Sequence, residues 1–417
     1  MRRACSGSFL SPLPPSRSMR VLICATEAPL PPTNGFRVML TALTQEVRRT
    51  HDVRVLAFRS ADQRTPRAEC GELHLLPRPE AHSPAAIFAT AHAAVRRRPL
   101  RADRLAAPME SALRAELDTF RPEVVHVTSG RLAGLGRVLA GRPSALGALD
   151  AMHLNVEARA LVATGLRRRF LRAEVGRVRR FEATEYRRFG RTVVVSDADR
   201  AALHEVDPSL EITVIPNGVD VEFFSPDPQT RVDPRRIVFT GVMSYAPNVI
   251  AAEFLAREVF PRVRRNWPDA RLAIVGRAPS PRVRALGDVP GVEVTGEVPD
   301  LRPWLRQSRV YACPMTSGTG IKNKLLEAMA SGLPCVVTPL ALQGLDVANG
   351  EQVLVATSAE DLAREVGRIL ADDDLATRLG AAAREHVRTQ HDWDAVARRY
   401  VSVWEDVRLA DGRPAVS

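Results

Sequence analysis

At 417 residues the chain exceeds what a single hydrophobic core usually serves, so length alone argues for two domains. No window approaches the roughly 18 consecutive apolar residues of a membrane-spanning helix, and the opening MRRACSGSFLSPLPPSRS lacks the apolar core of a secretory signal, so a cytoplasmic protein is expected. The net charge of +11 is carried mostly by arginine, which reflects either a GC-rich genome or a preference for anionic partners, without choosing between phosphate, nucleic acid and membrane.

Residues 1–18 are rich in Ser, Pro and Arg and read as a disordered tail or an upstream-start artefact. After Met19, apolar β-rich runs alternate with longer amphipathic stretches, the pattern of α/β units around parallel sheets. Strands are predicted over 21–25, 53–58, 123–128 and 192–196, with a helix over 36–47 between the first two. Pro208, the run Pro216-Asn217-Gly218 and Pro226 mark a break over 206–227, where a hinge is expected. A second α/β system follows, with strands over 236–241, 271–276, 292–296, 310–314 and 333–338 and helices over 249–265, 324–331 and 359–371. A final helix over 391–409 has no strand after it.

The five cysteines, Cys5, Cys24, Cys70, Cys313 and Cys335, are odd in number and never spaced C-x-x-C, which argues against a disulfide framework or a zinc site. Cys24, Cys313 and Cys335 sit in strand-like runs and read as small buried hydrophobes. No period of 20–50 residues recurs, and neither the P-loop nor the G-x-G-x-x-G fingerprint is present. A nucleotide, if bound, must be held another way.

Two predicted strands end directly in glycine, at Gly241 and Gly276. In open α/β sheets ligands collect at the carboxyl ends of strands, where glycine permits close approach; the alternative is a pair of turn glycines. Arg277, Lys322 and Lys324 flank such strand ends and would supply positive charge to a phosphate, or are solvated charges. Lys322 follows the small run Gly318-Thr319-Gly320, where backbone N–H groups and a helix N-terminus face the same point. Glu327 is a carboxylate in an otherwise small and apolar run, either turned toward a ligand or paired at the surface with Lys324 at i,i+3 spacing.

The stretches GIKNKLLEAMASGLPCVVT (320–338), VIPNGVDVEFFSP (214–226) and FTGVMSYAPN (239–248) together resemble the GT-B glycosyltransferases of family 4, retaining enzymes that use nucleotide sugars. The similarity extends over nearly the whole chain from Met19 and is most like the bacterial polysaccharide and natural-product branch. It implies two Rossmann-like domains facing a cleft: an acceptor-binding domain over 19–205, the hinge, a donor-binding domain over 228–390, and a last helix over 391–409 crossing back to the first domain. The donor-binding set it implies is Gly241, Gly276, Arg277, Thr319, Gly320, Ile321 and Glu327, with Glu327 on the ribose hydroxyls. Family members carry a second glutamate eight positions earlier; here that position is Thr319. Many also have an arginine and a lysine after the glycine equivalent to Gly241. This chain has neither, so Lys322 and Lys324 are expected to hold the diphosphate.

In the first domain, PPTNGFR (31–37) resembles the family's glycine loop, with Gly35 allowing close approach and Arg37 meeting phosphate or acceptor. LDAMHLNVEA (149–158) resembles the family's D-x-H-N-V-E segment with one residue inserted, which places His153 near the sugar and makes Asn155 and Glu157 approximate matches. His126 reads as a polar residue at a strand end that points to the cleft side. No D-x-D motif marks a strand end, so no metal and no cofactor beyond the nucleotide-diphosphate sugar is expected, with helix dipole, amides and lysines stabilising the leaving diphosphate. The acceptor is a hydroxyl on a sugar, a lipid-linked sugar or a small molecule.

Between Arg159 and Arg191 there are eleven arginines against Glu174, Glu182 and Glu185. The region is either a solvated helical face or a basic surface that meets an anionic membrane at the inner face of the cell, with Leu161, Val162, Phe170 and Leu171 inserting shallowly. Two competing functions stand beside glycosyl transfer. One is a sugar-nucleotide epimerase or pseudo-glycosyltransferase on the same fold, raised by Thr319. The other is a basic nucleic-acid-binding protein, against which stand only four Trp and four Tyr and no nucleic-acid module.

Overall fold

The computed structural model describes residues 18–31, 34–59, 72–79, 99, 103–318 and 320–410. Its first sheet has seven parallel strands, β1 (Arg20–Ala25), β2 (Asp52–Phe58), β3 (Glu72–Leu76), β4 (Val124–Thr128), β5 (Ser144–Leu149), β6 (Arg191–Val194) and β7 (Ile212–Val214), in the order β3-β2-β1-β4-β5-β6-β7. A second sheet has six, β8 (Arg236–Thr240), β9 (Arg271–Val275), β10 (Val292–Gly296), β11 (Val310–Cys313), β12 (Cys335–Val337) and β13 (Leu354–Val355), also parallel, in the order β10-β9-β8-β11-β12-β13. Central strands such as β1 and β4 are near-continuous apolar runs because helices cover both faces of a parallel sheet. In each sheet the winding reverses direction once, between β1 and β4 and between β8 and β11, and such switch points are where doubly wound sheets open a crevice for ligands.

The first sheet carries α1 (Gly35–Val47), α2 (Asp103–Thr119), α3 (Met152–Val162), α4 (Gly165–Glu185) and α5 (Asp197–Val206). The second carries α6 (Ala246–Phe254), which continues through a π turn at Leu255–Val259 into α7 (Phe260–Asn266), then α8 (Pro281–Arg284), α9 (Arg302–Arg306), α10 (Asn323–Ala330), α11 (Ala359–Ala371) and α12 (Asp373–Gln390). Side-chain caps fix several starts: Asn34 accepts from the Arg37 amide, Ser196 from Asp199, and Ser358 from Asp361.

The last helix, α13 (Trp393–Ala410), lies on the first sheet, as expected of a crossover helix. Its Trp393, Val396, Ala397, Tyr400, Val403, Trp404 and Val407 are buried in one cluster with Met19, Val21, Ile23 and Leu40. The chain is tied at the crossing point by a Val219 amide to His391 carbonyl hydrogen bond of 2.7 Å and by His391 Nδ1 donating to the Asn217 carbonyl at 2.9 Å.

Three features depart from the sequence reading. β3, β5, β7 and β13 were not predicted, and β7 pairs with β6 inside the segment 206–227 read as a connection. α12 follows α11 with only Asp372 between them, and no Gly or Pro announces the change of direction. His126 does not point to the cleft: it shares a face of β4 with Val124, and its ring meets Tyr400 edge-on at 5.3 Å and Trp404 at 5.6 Å beneath α13. Burial there pushes its pKa down to about 3. Residues 1–17, and with them Cys5, lie outside the described residues, as do Cys70 and Thr319. Among the described residues no helix is long and apolar enough to cross a membrane.

Candidate active site

At the switch point of the second sheet, β8 and β9 end in Gly241 and Gly276, both with positive φ. A Cβ on Gly276 would overlap the Gly241 carbonyl, so the two strand ends pack backbone to backbone and only glycine fits. A Cβ on Gly241 would lie 2.7 Å from Asn248 Nδ2 and 3.3 Å from Lys324 Nζ. The ammonium of Lys324 therefore reaches from α10 to the end of β8, the place where the sequence lacks its own basic residue. Asn248 holds it there. Its Oδ1 accepts from Lys324 Nζ, while its Nδ2 donates to the Val242 carbonyl at 3.0 Å. Met315 Sδ lies 3.6 Å from the same ammonium and the Phe239 ring centroid 4.8 Å.

Lys324 is half-buried and Lys322 buried, with Lys322 Nζ donating to the Gly320 carbonyl. Burial lowers the pKa of both lysines, and each feels the buried Cys313 thiol, whose own pKa is pushed up to about 11 by desolvation against the pull of the two ammonium groups. Neither lysine forms an ion pair among the described residues. Two desolvated cations with no ion-pair partner among the described residues, one at a strand end and one at the uncapped start of α10, make a site whose electrostatics favour negative charge.

Glu327 lies one turn along α10, and the surface pair with Lys324 does not form: the lysine turns to Asn248, and no hydrogen bond reaches the Glu327 carboxyl among the described residues. Its side chain keeps partial exposure, yet the carboxyl is enclosed well enough that burial raises its pKa to about 7, with Lys324 opposing the rise. A carboxylate so placed is short of donors and suited to accept from ligand hydroxyls. Gly318 and Gly320 have φ of 99° and 72°, a backbone region that favours glycine; Thr319 lies outside the described residues. Ile321, half-buried, packs on the domain core, its Cγ1 2.6 Å from where a Gly344 Cβ would stand. Arg277 is exposed beyond Gly276, and its carbonyl accepts from the Met243 amide at 2.9 Å, joining the loops after β8 and β9.

The first half faces this loop. A Cβ on Gly35, at the start of α1, would lie 3.4 Å from Asn323 Nδ2, and Asn323 Oδ1 accepts from Asn217 Nδ2 at 3.1 Å. Arg37 is buried, with Nε 2.9 Å from Glu27 Oε2 and a second nitrogen donating to the Pro31 carbonyl at 3.1 Å, so the guanidinium braces the loop after β1. His153 follows the carboxyl end of β5 and is buried against Glu182 of α4, Nδ1 to Oε2 2.6 Å. Asn155 donates to Asp150 at 2.7 Å, and Glu157 lies 3.9 Å from Arg179. A cavity of 740 Å³ opens between the halves, with Ser196, Pro216, Gly344, His386 and Arg399 in its wall. No group of three or more His, Cys, Asp or Glu able to hold a metal occurs among the described residues.

Two contributors escaped the sequence reading. Asn248 reads as a helix-start residue in Ala246-Pro247-Asn248, and Glu182 as one acid in an arginine-rich helix. Asn248 closes the stretch 239–248 that carries the resemblance, but its tie to Lys324 could not be read there, and Glu182 carries no motif signal; the partner of each is distant in sequence.

Comparison with known proteins matches residues 33–223 to the model described as "Glycosyltransferase Family 4" and residues 234–372 to "Glycosyl transferases group 1". The chain belongs to this family of glycosyltransferases. It is similar to the phosphatidyl-myo-inositol mannosyltransferase of Mycobacterium leprae, 30% identical over 234 residues, covering 54% of this chain and 61% of that protein. It is also 30% identical over 215 residues to the GDP-mannose-dependent alpha-(1-6)-phosphatidylinositol monomannoside mannosyltransferase of Mycobacterium tuberculosis, covering 46% and 55%. The chain thus spans less than two thirds of the length of these curated relatives. Among solved structures, sucrose-phosphate synthase from Thermosynechococcus elongatus superposes with a TM-score of 0.68 at 15% identity over 94% of this chain and 100% of that one. The glycosyltransferase fold is therefore GT-B, with the two switch points facing each other.

Proposed function

We propose that this family 4 glycosyltransferase moves a hexose-type sugar from a nucleotide-diphosphate sugar to a hydroxyl acceptor with retention of anomeric configuration. The reading rests above all on the buried Lys322 and the half-buried Lys324 at the end of β8, neither in an ion pair among the described residues, with Glu327 one turn beyond. Lys322, Lys324 and the start of α10 take up charge as the bond from the anomeric carbon to the diphosphate oxygen breaks. Glu327 accepts hydrogen bonds from the ribose. The acceptor hydroxyl bonds to the anomeric carbon from the face the diphosphate leaves, and its proton passes to a departing phosphate oxygen. No residue of this set calls for a metal or a cofactor besides the donor. Closure of the two halves about 206–227 excludes water from the reacting sugar.

The relatives named for mannosyl transfer to phosphatidylinositol lipids favour a glycolipid or polysaccharide acceptor, met at a membrane surface. An observation of this chain points the same way. At the turn joining α3 to α4, Leu161, Leu166 and Phe170 are 75%, 83% and 50% exposed, and Arg167, Arg168, Arg169 and Arg172 beside them are exposed without an ion pair among the described residues.

The test is a panel of nucleotide diphosphates and their hexoses, read first by thermal shift and then by turnover with and without acceptor. A ligand at 100 times its dissociation constant adds about 2.7 kcal/mol of stability. Lys324→Ala is expected to lower kcat/KM for the donor by about 10²–10³-fold. Donor conversion that needs no acceptor would favour an epimerase, and unchanged kinetics in both Lys322→Ala and Lys324→Ala would sink the lysine assignment.

A further inference from the structure

Glu182 has no place in the donor site, yet it is fully buried and takes hold of His153 twice. Oε2 lies 2.6 Å from the ring Nδ1, and Oε1 accepts the His153 backbone N–H at 3.3 Å. Around them stand Asp150 and the unpartnered hydroxyl of Tyr186, with Asp199 nearby fastening the Ala151 amide at 3.0 Å. The other ring nitrogen, Nε2, has no hydrogen-bond partner among the described residues. A carboxylate at Nδ1 keeps the proton of a neutral imidazole on that nitrogen and leaves a lone pair on Nε2. The second contact, to the backbone, fixes where α3 begins and with it the direction of the ring. His153 sits in the first turn after β5, at the carboxyl end of the sheet, where ligands of such folds are met.

We propose that Glu182 is a positioning residue that sets the tautomer and orientation of His153, so that Nε2 accepts a hydrogen bond from a sugar hydroxyl in the cleft. The functional half of this statement rests on the glycosyl-transfer reading, while the tautomer half does not. A pair that only joined α3 to α4 would need neither a defined tautomer nor a buried Nε2 left without a partner among the described residues.

The experiment compares Glu182→Gln, which keeps an acceptor oxygen at Nδ1, with Glu182→Leu, which removes it. Long-range ¹H–¹⁵N spectra of the imidazoles, with His153 assigned by its loss in His153→Gln, report the tautomer without any turnover. The wild type and Glu182→Gln are expected to show a single Nδ1–H form, and Glu182→Leu a mixture. In steady-state assays Glu182→Leu is expected to lose about 10²-fold in kcat with donor KM within about threefold, and Glu182→Gln to recover most of that loss. A single Nδ1–H form with wild-type kcat in Glu182→Leu would overturn the proposal. So would a lowered melting temperature with kcat untouched in both variants. If the wild type turned over no nucleotide sugar, the glycosyl-transfer reading would fall, and the tautomer spectra would still decide what Glu182 does to His153.

Discussion

Glu327, proposed above as a ribose ligand, stands out by what it costs the folded chain. Its carboxyl holds a proton to about pH 7 in the folded chain, against 4.5 for an ordinary glutamate, because burial disfavours the charge more than Lys324 favours it. Between those values the folded state binds more protons than the unfolded one, so stability falls as pH rises through the window and the full cost is present above pH 7. Glu327→Gln should accordingly leave the unliganded protein unchanged near pH 4.5 and stabilise it by up to about 3 kcal/mol at pH 8, while weakening nucleotide binding. Denaturant midpoints at the two pH values check this; a variant less stable at pH 8 would show that the carboxylate is a structural partner instead. The residue types at the site were readable: a carboxylate in a small-residue run, two lysines after a glycine loop, glycines closing two strands. Their partners were not. Asn248 and Lys324 are 76 residues apart and His153 and Glu182 are 29 apart, so only folding brings each pair together.

Among the elements, long central strands and several amphipathic helices announced themselves, whereas the helices α2, α5 and α12 and four strands did not. β7 and β13 have three and two residues, too few to show a pattern, and β3 is an edge strand only partly covered. β5, SALGAL, has four small residues and two leucines, none β-branched or aromatic; its neighbours β4 and β6 and the helices over it decide its conformation. The α3–α4 turn carries a prediction at this scale. Four adjacent arginines at about 1 kcal/mol each on an anionic leaflet, with three apolar side chains to insert, should give vesicle binding that requires phosphatidylserine or phosphatidylglycerol and weakens with salt. Replacing Arg167, Arg168 and Arg169 by Glu should abolish co-sedimentation with such vesicles while leaving donor binding intact. Equal binding to neutral and anionic vesicles would reduce this face to solvated charge.

For the molecule as a whole, α13 makes the first domain dependent on the end of the chain. Seven of its side chains are buried on the first sheet, and at about 1.5–3 kcal/mol for each large one their loss rivals the roughly 5–15 kcal/mol that stabilises an ordinary domain. A chain ending at Gln390 should therefore aggregate or bind a hydrophobic dye strongly, although its second sheet is complete. A monomeric, cooperatively unfolding truncation would contradict this. The sequence by itself determined the α/β alternation, the two sheets, the existence of a last helix and the glycine and lysine positions of the second half, because periodicity, turn chemistry and strand-end glycines are local properties. The tertiary structure decided that His126 belongs under α13, that Arg37 braces its own loop, that Asn248 delivers Lys324 to the end of β8, and that Glu182 holds His153. Each of these is set by which side chains desolvate one another across long separations in the chain, and burial of that kind exists only once the sheets have closed.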